Sequence, residues 1–578
     1  MHVYPAARFL EDMQFVTRHR FGLMQALLCL LFVGRIVAGY SINSATYDEN
    51  GHISRGIQWL ETGGYQDDGF QMPLPRLLCS TLPHWAGYTP EGSWLYNDWT
   101  NQTPDDYWRS LTLARVGNLP FVIALFAGVA AFSRRLFGDE ASLAASAALA
   151  CCPNVIGHAG LATLDIGGTA GVLLTLYVLW CWRLRPRASR ACLAGAAYGV
   201  AQVSKFSAPG FLVVPLVFAV LRGWRGQRLS WKRVGLHGLC FVLVACFVIW
   251  AGYGFDSGEV FSHRHNNAPA EGKNSLAIGD WLQGAHLPAP MFWRGFVDMA
   301  YLQQDGFPAF FLGEMGHDGW WYYFPAALLL KATPPLLLLA VLGFVCLWKQ
   351  GGETRESGVF LAATFVGILV VSTPSRVTIG VRHVLPLFPL LCLLAAGAFV
   401  RRRSVAGSAR GDLATPESPP GARSARSWMS IAAGVLLAWH AVESLAAHPD
   451  YLAYFNPAFR QHDYHYLSDS NLDWGQDRAR LAEWIEDNRD KDLHAVAMQT
   501  GDIFNLHERP QGAMESSEWI VISTNQWAII EFGPDQREQT RALFRKEPWG
   551  RIGRSMLIYH FPERAKDGTV TGDRDSPR

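Results

Sequence analysis

Long apolar runs, separated by short polar stretches, occupy most of this 578-residue chain. Runs of about 18 to 20 largely apolar residues are long enough to cross a bilayer as α-helices. The pattern predicts an α-helical polytopic membrane protein with about eleven transmembrane helices. The predicted spans are 21–40, 116–133, 141–157, 166–182, 191–204, 206–222, 235–252, 324–348, 358–373, 384–400 and 429–447.

Basic residues between the spans predict the orientation. The loops 134–135, 183–190, 222–233, 349–355 and 401–426 together carry 19 Lys and Arg, and counting spans places them all on the side of the N-terminus. Positively charged loops tend to stay in the cytoplasm. We therefore expect a multi-pass protein of the cytoplasmic (inner) membrane with a cytoplasmic N-terminus, whose first span remains in place as an anchor.

The extracytoplasmic side then receives three large segments. Two are the loops 41–114 and 253–323, within a transmembrane domain that covers residues 1–447. A stretch rich in Ser, Pro, Gly and Arg, 401–428, is predicted to be a cytoplasmic linker. Residues 448–578 are predicted to form an extracytoplasmic soluble α/β domain. Its predicted elements are a helix at Gln476–Asn488 and strands at His494–Met498, Trp519–Ser523 and Ser555–Phe561.

Composition narrows the classes of function. The net charge of +1 gives no support to nucleic-acid binding. The ten cysteines form no disulfide pattern, and no group of residues has the spacing of a dedicated metal site. We therefore expect no cofactor, while the sequence leaves a requirement for a divalent metal open.

Polar residues far apart in the sequence are predicted to gather on the extracytoplasmic side. They are Asp48, Glu49, His52, His158, Asp165, Lys205, Lys331, Arg382 and His383. Charged groups at the end of a membrane helix are costly to desolvate unless they are paired or functional. Carboxylates beside cations suit sugar transfer from a lipid-phosphate donor, because a carboxylate can accept the proton of the acceptor hydroxyl and cations can neutralise the departing phosphate.

Each of these residues has an expected role. We expect Asp48 to be the general base, with Glu49 as an orienting neighbour and Asp165 as a further site carboxylate. The candidates for binding the donor phosphate are Lys205, Lys331, Arg382 and His383, and His52 and His158 are further site candidates. Lys331 would lie about seven residues into its span, roughly 10 Å deep. Structural alternatives remain: the carboxylates could cap helices or form ion pairs, and the cations could bind ordinary lipid phosphates.

Five short motifs, taken in order, resemble a known family. They are Thr46-Tyr47-Asp48-Glu49 with His52, Leu161–Asp165, Ser204-Lys205, Trp320–Pro325 leading to Lys331, and Arg382–Pro386. Together they resemble bacterial relatives of the protein O-mannosyltransferases, GT-C enzymes that use polyprenyl-phosphate sugars. The resemblance implies an inverting, mannosyltransferase-like membrane enzyme. It also implies that Asp48 matches the catalytic aspartate and that His158–Asp165 matches a second site in a luminal loop.

The tail segment Tyr466–Asp477 also resembles tails found in bacterial members of this group. The tail lacks the MIR-type β-trefoil of the eukaryotic enzymes, so the acceptor stays open between protein, lipid and glycan. Asp469, Asn471 and Asp473 superficially suggest a calcium loop, but Trp474 stands where an EF-hand has glycine. We expect these residues to cap the following helix instead.

The leading prediction is therefore a glycosyltransferase that moves a sugar from a polyprenyl-phosphate donor to a hydroxyl acceptor on the outer face of the membrane. Its expected partners are the lipid-linked sugar, membrane lipid and the acceptor. The alternative is a lipid-linked-sugar transporter or flippase. Such a protein is expected to have charged residues at mid-membrane and paired repeats. Here the charges gather at one face and no internal repeat is found. A non-catalytic assembly role centred on the tail is a third reading.

Overall fold

The computed structural model describes residues 6–64, 71–89, 103–227, 229–261, 277–400, 420–496, 516–533, 541 and 544–564. Its α-helices are α1 (Ala6–Val37), α2 (Tyr47–Thr62), α3 (Pro73–Trp85), α4 (Pro104–Gly117), α5 (Leu119–Phe137), α6 (Asp139–Ala150), α7 (Pro153–Ala159), α8 (Asp165–Leu184), α9 (Ala188–Gln202), α10 (Ala208–Gln227), α11 (Trp231–Gly252), α12 (Ala277–Leu282), α13 (Pro290–Asp305), α14 (Tyr323–Lys331), α15 (Pro334–Gln350), α16 (Gly352–Ser372), α17 (Leu387–Ala396), α18 (Pro420–Ala446), α19 (Arg478–Asp487) and α20 (Thr524–Phe532). The strands are β1 (Ser257–Glu259), β2 (His286–Pro288), β3 (Ala309–Phe311), β4 (Glu314–Gly316), β5 (Leu493–Val496), β6 (Trp519–Ser523), β7 (Gly550–Ile552) and β8 (Met556–His560).

Among the described residues, six helices are long and apolar enough to cross a membrane, or up to eight if each of two bent pairs forms one span. The predicted count of eleven is therefore not confirmed. The helices α6 and α7 meet at 63°, and α14 and α15 meet at 109°. The sequence predicted one continuous span for each pair because an apolar run does not show where a helix breaks. Pro153 and Pro334 begin the second helix of each pair, and proline cannot continue the preceding helix.

The segment predicted as loop 41–114 is largely helical where it is described. Its helices α2, α3 and α4 share an apolar cluster that contains Ala45, Ile53, Ile57, Cys79, Tyr107 and Leu111. Two glycines allow the helices to approach closely. A Cβ at Gly56 would lie 2.1 Å from the Ser80 hydroxyl, and a Cβ at Gly117 would lie 2.1 Å from the Leu78 carbonyl oxygen. This packing holds the first turn of α2 in a fixed position.

The segment predicted as loop 253–323 contains two short antiparallel hairpins. Strand β1 pairs with β2, and β3 pairs with β4. Phe311 of β3 also forms an isolated bridge with Leu467. Next to it, the Leu312 N–H donates to the Tyr466 carbonyl at 3.0 Å. This second segment therefore contacts the start of the tail motif Tyr466–Asp477 directly.

The tail contains a mixed sheet with the strand order β5-β6-β8-β7. Strands β5 and β6 are parallel, and the other neighbours are antiparallel. The strands predicted at Trp519–Ser523 and Ser555–Phe561 coincide with β6 and β8. The end of the strand predicted at His494–Met498 lies outside the described residues, as does 401–419 of the predicted linker.

Both faces of this sheet are packed, as the alternation along β6 shows. Val521 joins a small cluster with Leu481 of α19. Its neighbours Ile520 and Ile522 point the other way and belong to the main apolar core, which also contains residues of the membrane helices. The sheet is therefore packed against the helical part of the protein. The domain boundary predicted at residue 448 stays a prediction.

Candidate active site

Asp48 and Arg382 form an ion pair although 334 positions separate them in the chain. Asp48 lies in the first turn of α2, where the helix dipole favours a carboxylate. Its Oδ2 accepts a hydrogen bond from Arg382 Nη1 at 2.6 Å. Arg382 belongs to a short 3-10 helix, Val381–Val384. The side chains keep exposures of 23% for Asp48 and 12% for Arg382, so the pair is partly open to solvent.

A second ion pair, between Asp165 and Lys205, lies next to the first. Asp165 begins α8, and its Oδ1 accepts a hydrogen bond from Lys205 Nζ, while Oδ2 accepts one from the Thr163 hydroxyl at 3.2 Å. A Cβ at Gly168 would lie 2.6 Å from Lys205 Cβ, so a glycine here leaves room for the lysine. Lys205 Nζ also donates to the Arg382 carbonyl at 3.1 Å. This bond connects the two ion pairs.

Three buried nitrogens close to these pairs have no hydrogen-bond partner among the described residues. They are Arg382 Nε, His158 Nδ1 and His383 Nε2. Both histidines interact electrostatically with Asp165, Lys205 and Arg382, so all five groups lie in one region. Buried polar groups nearly always have a partner in native proteins. An anion with several oxygens, such as a phosphate, would supply acceptors for the Arg382 N–H and for a histidine nitrogen that carries its proton.

Glu49 is occupied by structural contacts. It is fully buried, and its carboxylate accepts hydrogen bonds from Arg115 Nε at 2.9 Å and Nη2 at 3.0 Å. It also accepts from the backbone N–H groups of Thr46 and Ala162, each at 2.8 Å. These bonds tie the start of α2 to α4 and to the segment before α8. Glu49 thereby orients the turn that carries Asp48.

The sequence predicted that Lys331 lies within a straight span. In the structure it is instead the last residue of α14, where the chain bends into α15. Its side chain is fully buried. Its Nζ donates to the Leu452 carbonyl at 2.9 Å and to the Asn471 carbonyl, and it lies 4.7 Å from the centre of the Phe455 ring. The lysine therefore anchors the tail to the helical region.

We expect Lys331→Met to lower the free energy of unfolding by about 1 to 3 kcal/mol, because two buried carbonyls lose their donor. The donor KM should stay normal in the protein that remains folded. Thermal unfolding and donor kinetics of the purified variant test this, with the exposed Lys349→Met as the control. A raised donor KM at unchanged stability would instead assign Lys331 to phosphate binding.

His52 is the remaining candidate from the sequence. It lies one turn after Asp48 on α2 and is 5% exposed. Its Nδ1 accepts a hydrogen bond from Arg76 Nε of α3 at 3.3 Å. This contact places His52 at the interface between α2 and α3.

Trp474, in the tail motif, contributes a wall of the site that the sequence did not predict. Its ring lies 4.2 Å from the guanidinium carbon of Arg382, a cation–π distance, and meets the His158 ring edge-on at 6.2 Å. Its carbonyl accepts a hydrogen bond from the Tyr47 N–H at 2.9 Å. Trp474 therefore touches both elements that supply the first ion pair.

Two neighbouring residues of the tail motif bind the segment that leads to Arg382. The Asn471 side-chain oxygen accepts from the Val381 N–H at 2.9 Å, and its amide donates to the Tyr323 hydroxyl at 2.9 Å. The Ser470 hydroxyl donates to the Ile379 carbonyl at 2.8 Å. The only sequence signal for these contacts was the likeness of the motif to family tails.

The predicted capping role of Asp469, Asn471 and Asp473 is wrong. Helix α19 begins at Arg478, and its N-cap residue makes no side-chain capping bond. Asp473 instead accepts from the N–H groups of Gly475 at 3.2 Å and Asn525 at 3.4 Å. The spacing of these residues suggested a cap. Spacing within one segment does not show that the motif packs against segments that are distant in the sequence.

The family comparison bears on the middle of the chain. Residues 110–250 match the family model described as dolichyl-phosphate-mannose-protein mannosyltransferase. The predicted resemblance to the protein O-mannosyltransferase group is confirmed. The matched stretch contains Asp165 and Lys205, whereas Asp48 and Arg382 lie outside it. None of the curated proteins matches the chain.

Several solved structures align with the chain, among them the following three. The oligosaccharyltransferase AglB from Archaeoglobus fulgidus, in complex with an inhibitory peptide and a dolichol-phosphate, aligns with a TM-score of 0.50 and 10% identity over 94% of this chain and 74% of that chain. ArnT from Cupriavidus metallidurans bound to undecaprenyl phosphate gives 0.48 and 14% over 95% and 99%. The Pmt1-Pmt2 protein O-mannosyltransferase complex of S. cerevisiae, bound to the sugar donor, gives 0.36 and 14% over 43% and 37%. At 10% identity, the likeness to AglB shows a shared fold alone.

Proposed function

We propose that this chain is an inverting glycosyltransferase that moves a sugar from a polyprenyl-phosphate donor to an acceptor hydroxyl on the outer face of the cytoplasmic membrane. The observation that carries the proposal is the contact between two carboxylate–cation pairs, Asp48–Arg382 and Asp165–Lys205, through the Arg382 carbonyl. The match to a mannosyltransferase family model supports sugar transfer. One surface thus offers both a base and cations for a phosphate.

The donor phosphate is proposed to bind next to Arg382 and Lys205. Arg382 Nε, His158 Nδ1 and His383 Nε2 lack partners among the described residues, and they lie in the same charged region. Hydrogen bonds between a guanidinium and a phosphate are short and strong. Fixed donors and cations stabilise the charge that grows on the phosphate as the sugar leaves.

Asp48 is proposed to be the general base. One of its oxygens binds Arg382, and the other accepts no hydrogen bond from the described part of the chain. In the proposed step, the acceptor oxygen attacks the anomeric carbon on the face opposite the phosphate, and its proton passes to Asp48. The bond from the anomeric carbon to the phosphate oxygen breaks, and the electron pair leaves with the polyprenyl phosphate. Attack from the opposite face inverts the anomeric configuration.

A transfer assay with purified protein tests the proposal. A panel of polyprenyl-phosphate hexoses, mannose first because of the family match, is offered with protein, lipid and glycan acceptors. Mass spectrometry and anomeric analysis identify the product, and a parallel reaction with EDTA tests the need for a divalent metal. We expect one sugar to be transferred with inversion. Movement of the donor across a vesicle membrane, without any transfer, would support a flippase instead.

The orientation is tested with reporter fusions. Because the basic loops are expected in the cytoplasm, a reporter that is active only outside the cytoplasm should be active when fused after residue 460 and inactive at residue 410. Matched fusions of both reporter types at each position provide the control. The reverse result would place the Asp48–Arg382 pair on the cytoplasmic side and overturn the proposed reaction.

A further inference from the structure

Asp469 lies beside the ion pair at the centre of the site and interacts electrostatically with both of its members. It begins a short 3-10 helix with φ at 53°, a left-handed conformation that aspartate tolerates. The next two residues hold it in place, since Ser470 binds the Ile379 carbonyl and Asn471 binds the Val381 N–H. Both anchor points directly precede the arginine of the ion pair. The turn that carries Asp469 is therefore fixed against this arginine.

Among the described residues, the hydrogen bonds of the Asp469 carboxylate come from its neighbour Ser470. Its Oδ1 accepts from the Ser470 N–H at 2.5 Å, and the side chain makes no ion pair within the described ranges. It is half-buried, and the groups that face it are Arg382, Asp48 and the Tyr323 hydroxyl. Burial raises the pKa of Asp469 to about 6, with Arg382 opposing the shift and Asp48 adding to it. At neutral pH it is thus an anion, and a carboxylate bonded by Ser470 keeps the capacity to accept a further hydrogen bond.

We propose that Asp469 is an acceptor-binding residue that accepts a hydrogen bond from a second hydroxyl of a polyhydroxylated acceptor, whose reacting hydroxyl lies at Asp48. The inference rests on the proposed function. A carboxylate only accepts hydrogen bonds, so two neighbouring carboxylates suit two neighbouring hydroxyls. Arg382 interacts electrostatically with both carboxylates and contributes a positive charge beside them. The favoured chemistry is a sugar, presented either as a free glycan or as a glycolipid headgroup.

The experiment uses the full-length protein and the donor found in the sugar panel. The variants are Asp469→Ala, Asp469→Asn, which keeps the shape of the side chain, and the control Asp487→Ala, an exposed aspartate of α19. An alkyl glycoside and a free oligosaccharide serve as acceptors that distinguish the two sources. Hydrolysis of the donor by water measures the site without a bound acceptor.

We expect Asp469→Ala to raise the acceptor KM about tenfold, the worth of one net hydrogen bond. The donor KM and the rate of hydrolysis should be unchanged, and the control should behave as wild type. In wild type the acceptor KM should also rise as the pH falls through about 6, because the carboxylate becomes protonated. Asp469→Asn should remove this dependence on pH.

Several outcomes would overturn the inference. An unchanged acceptor KM in both variants, or an equal loss of hydrolysis and transfer, would remove Asp469 from acceptor binding. Preference for a Ser/Thr peptide over both sugar acceptors would contradict the polyhydroxylated class. A wild-type protein that hydrolyses the donor but glycosylates neither sugar acceptor would do the same. Wild type that neither hydrolyses nor transfers any donor of the panel would instead show that the proposed function itself fails.

Discussion

Asp48→Asn should lower the rate of sugar transfer by about 10² to 10⁴, the usual loss when a general base is removed. The amide keeps the shape of the side chain and can still accept a hydrogen bond from Arg382, but it cannot take the proton of the acceptor. The loss should therefore appear in turnover, while the protein stays folded and inserted. Turnover at saturating donor, measured on purified protein at matched folded concentration, tests this.

Glu61→Gln is the matched control for Asp48→Asn, because it removes an exposed carboxylate near the other end of the same helix. It should have wild-type turnover and the same thermal stability. Near wild-type turnover in Asp48→Asn with a defined donor would show that Asp48 is not the base. Asp165 would then be the candidate, since it is the other carboxylate of the linked ion pairs.

The sequence predicted only that Asp48 and Arg382 lie on the same side of the membrane, and it did not predict their contact. The pattern of apolar runs and basic loops placed both residues on the extracytoplasmic side, although 334 positions separate them. Charge patterning sets a side but not a distance. The 2.6 Å contact depends on how α2 and the 3-10 helix around Arg382 pack against each other. Local sequence patterns do not predict this packing.

The sequence patterns did not predict where a helix breaks or which residues distant in the chain form hydrogen bonds with the site. Lys331 was placed by counting residues along a straight span, but a bend of 109° begins directly after α14, at Thr333-Pro334-Pro335. The sequence predicted that Glu49 is an orienting neighbour of Asp48, but it did not predict the partner Arg115, which lies 66 residues away on another helix. Spacing along one element predicts contacts within that element, and these contacts run between elements.

The tail motif shows the same limit in its strongest form. Its strands and the helix near residue 480 followed from local patterns of apolar residues. Trp474 and Asn471 looked like parts of a separate soluble domain, yet they contact Arg382 and the residue before it. Their partners lie about 90 residues earlier in the chain. Only the resemblance of the motif to family tails indicated that the segment mattered.

Arg382→Ala should lower turnover by about 10² to 10³ and raise the donor KM, because the phosphate loses a cation whose effect grows in the transition state. Arg382→Lys keeps the charge but loses the planar fork of donors, so both effects should be smaller but present. The geometry of Arg382 supports a larger loss of turnover in Arg382→Ala than in Arg382→Lys. Arg382 now binds Asp48 through Nη1 and leaves its buried Nε without a partner among the described residues.

Arg376→Ala is the control for Arg382, because Arg376 is 43% exposed and pairs with Asp318 rather than with the site carboxylates. It should keep normal donor kinetics. A structural role for Arg382 makes a different prediction: lower yield or thermal stability, with normal kinetics in the folded fraction. Arg382 also packs on Trp474, so stability must be measured beside the kinetics of each variant. Donor KM and turnover that stay at wild-type values in both Arg382→Ala and Arg382→Lys would remove this residue from phosphate binding.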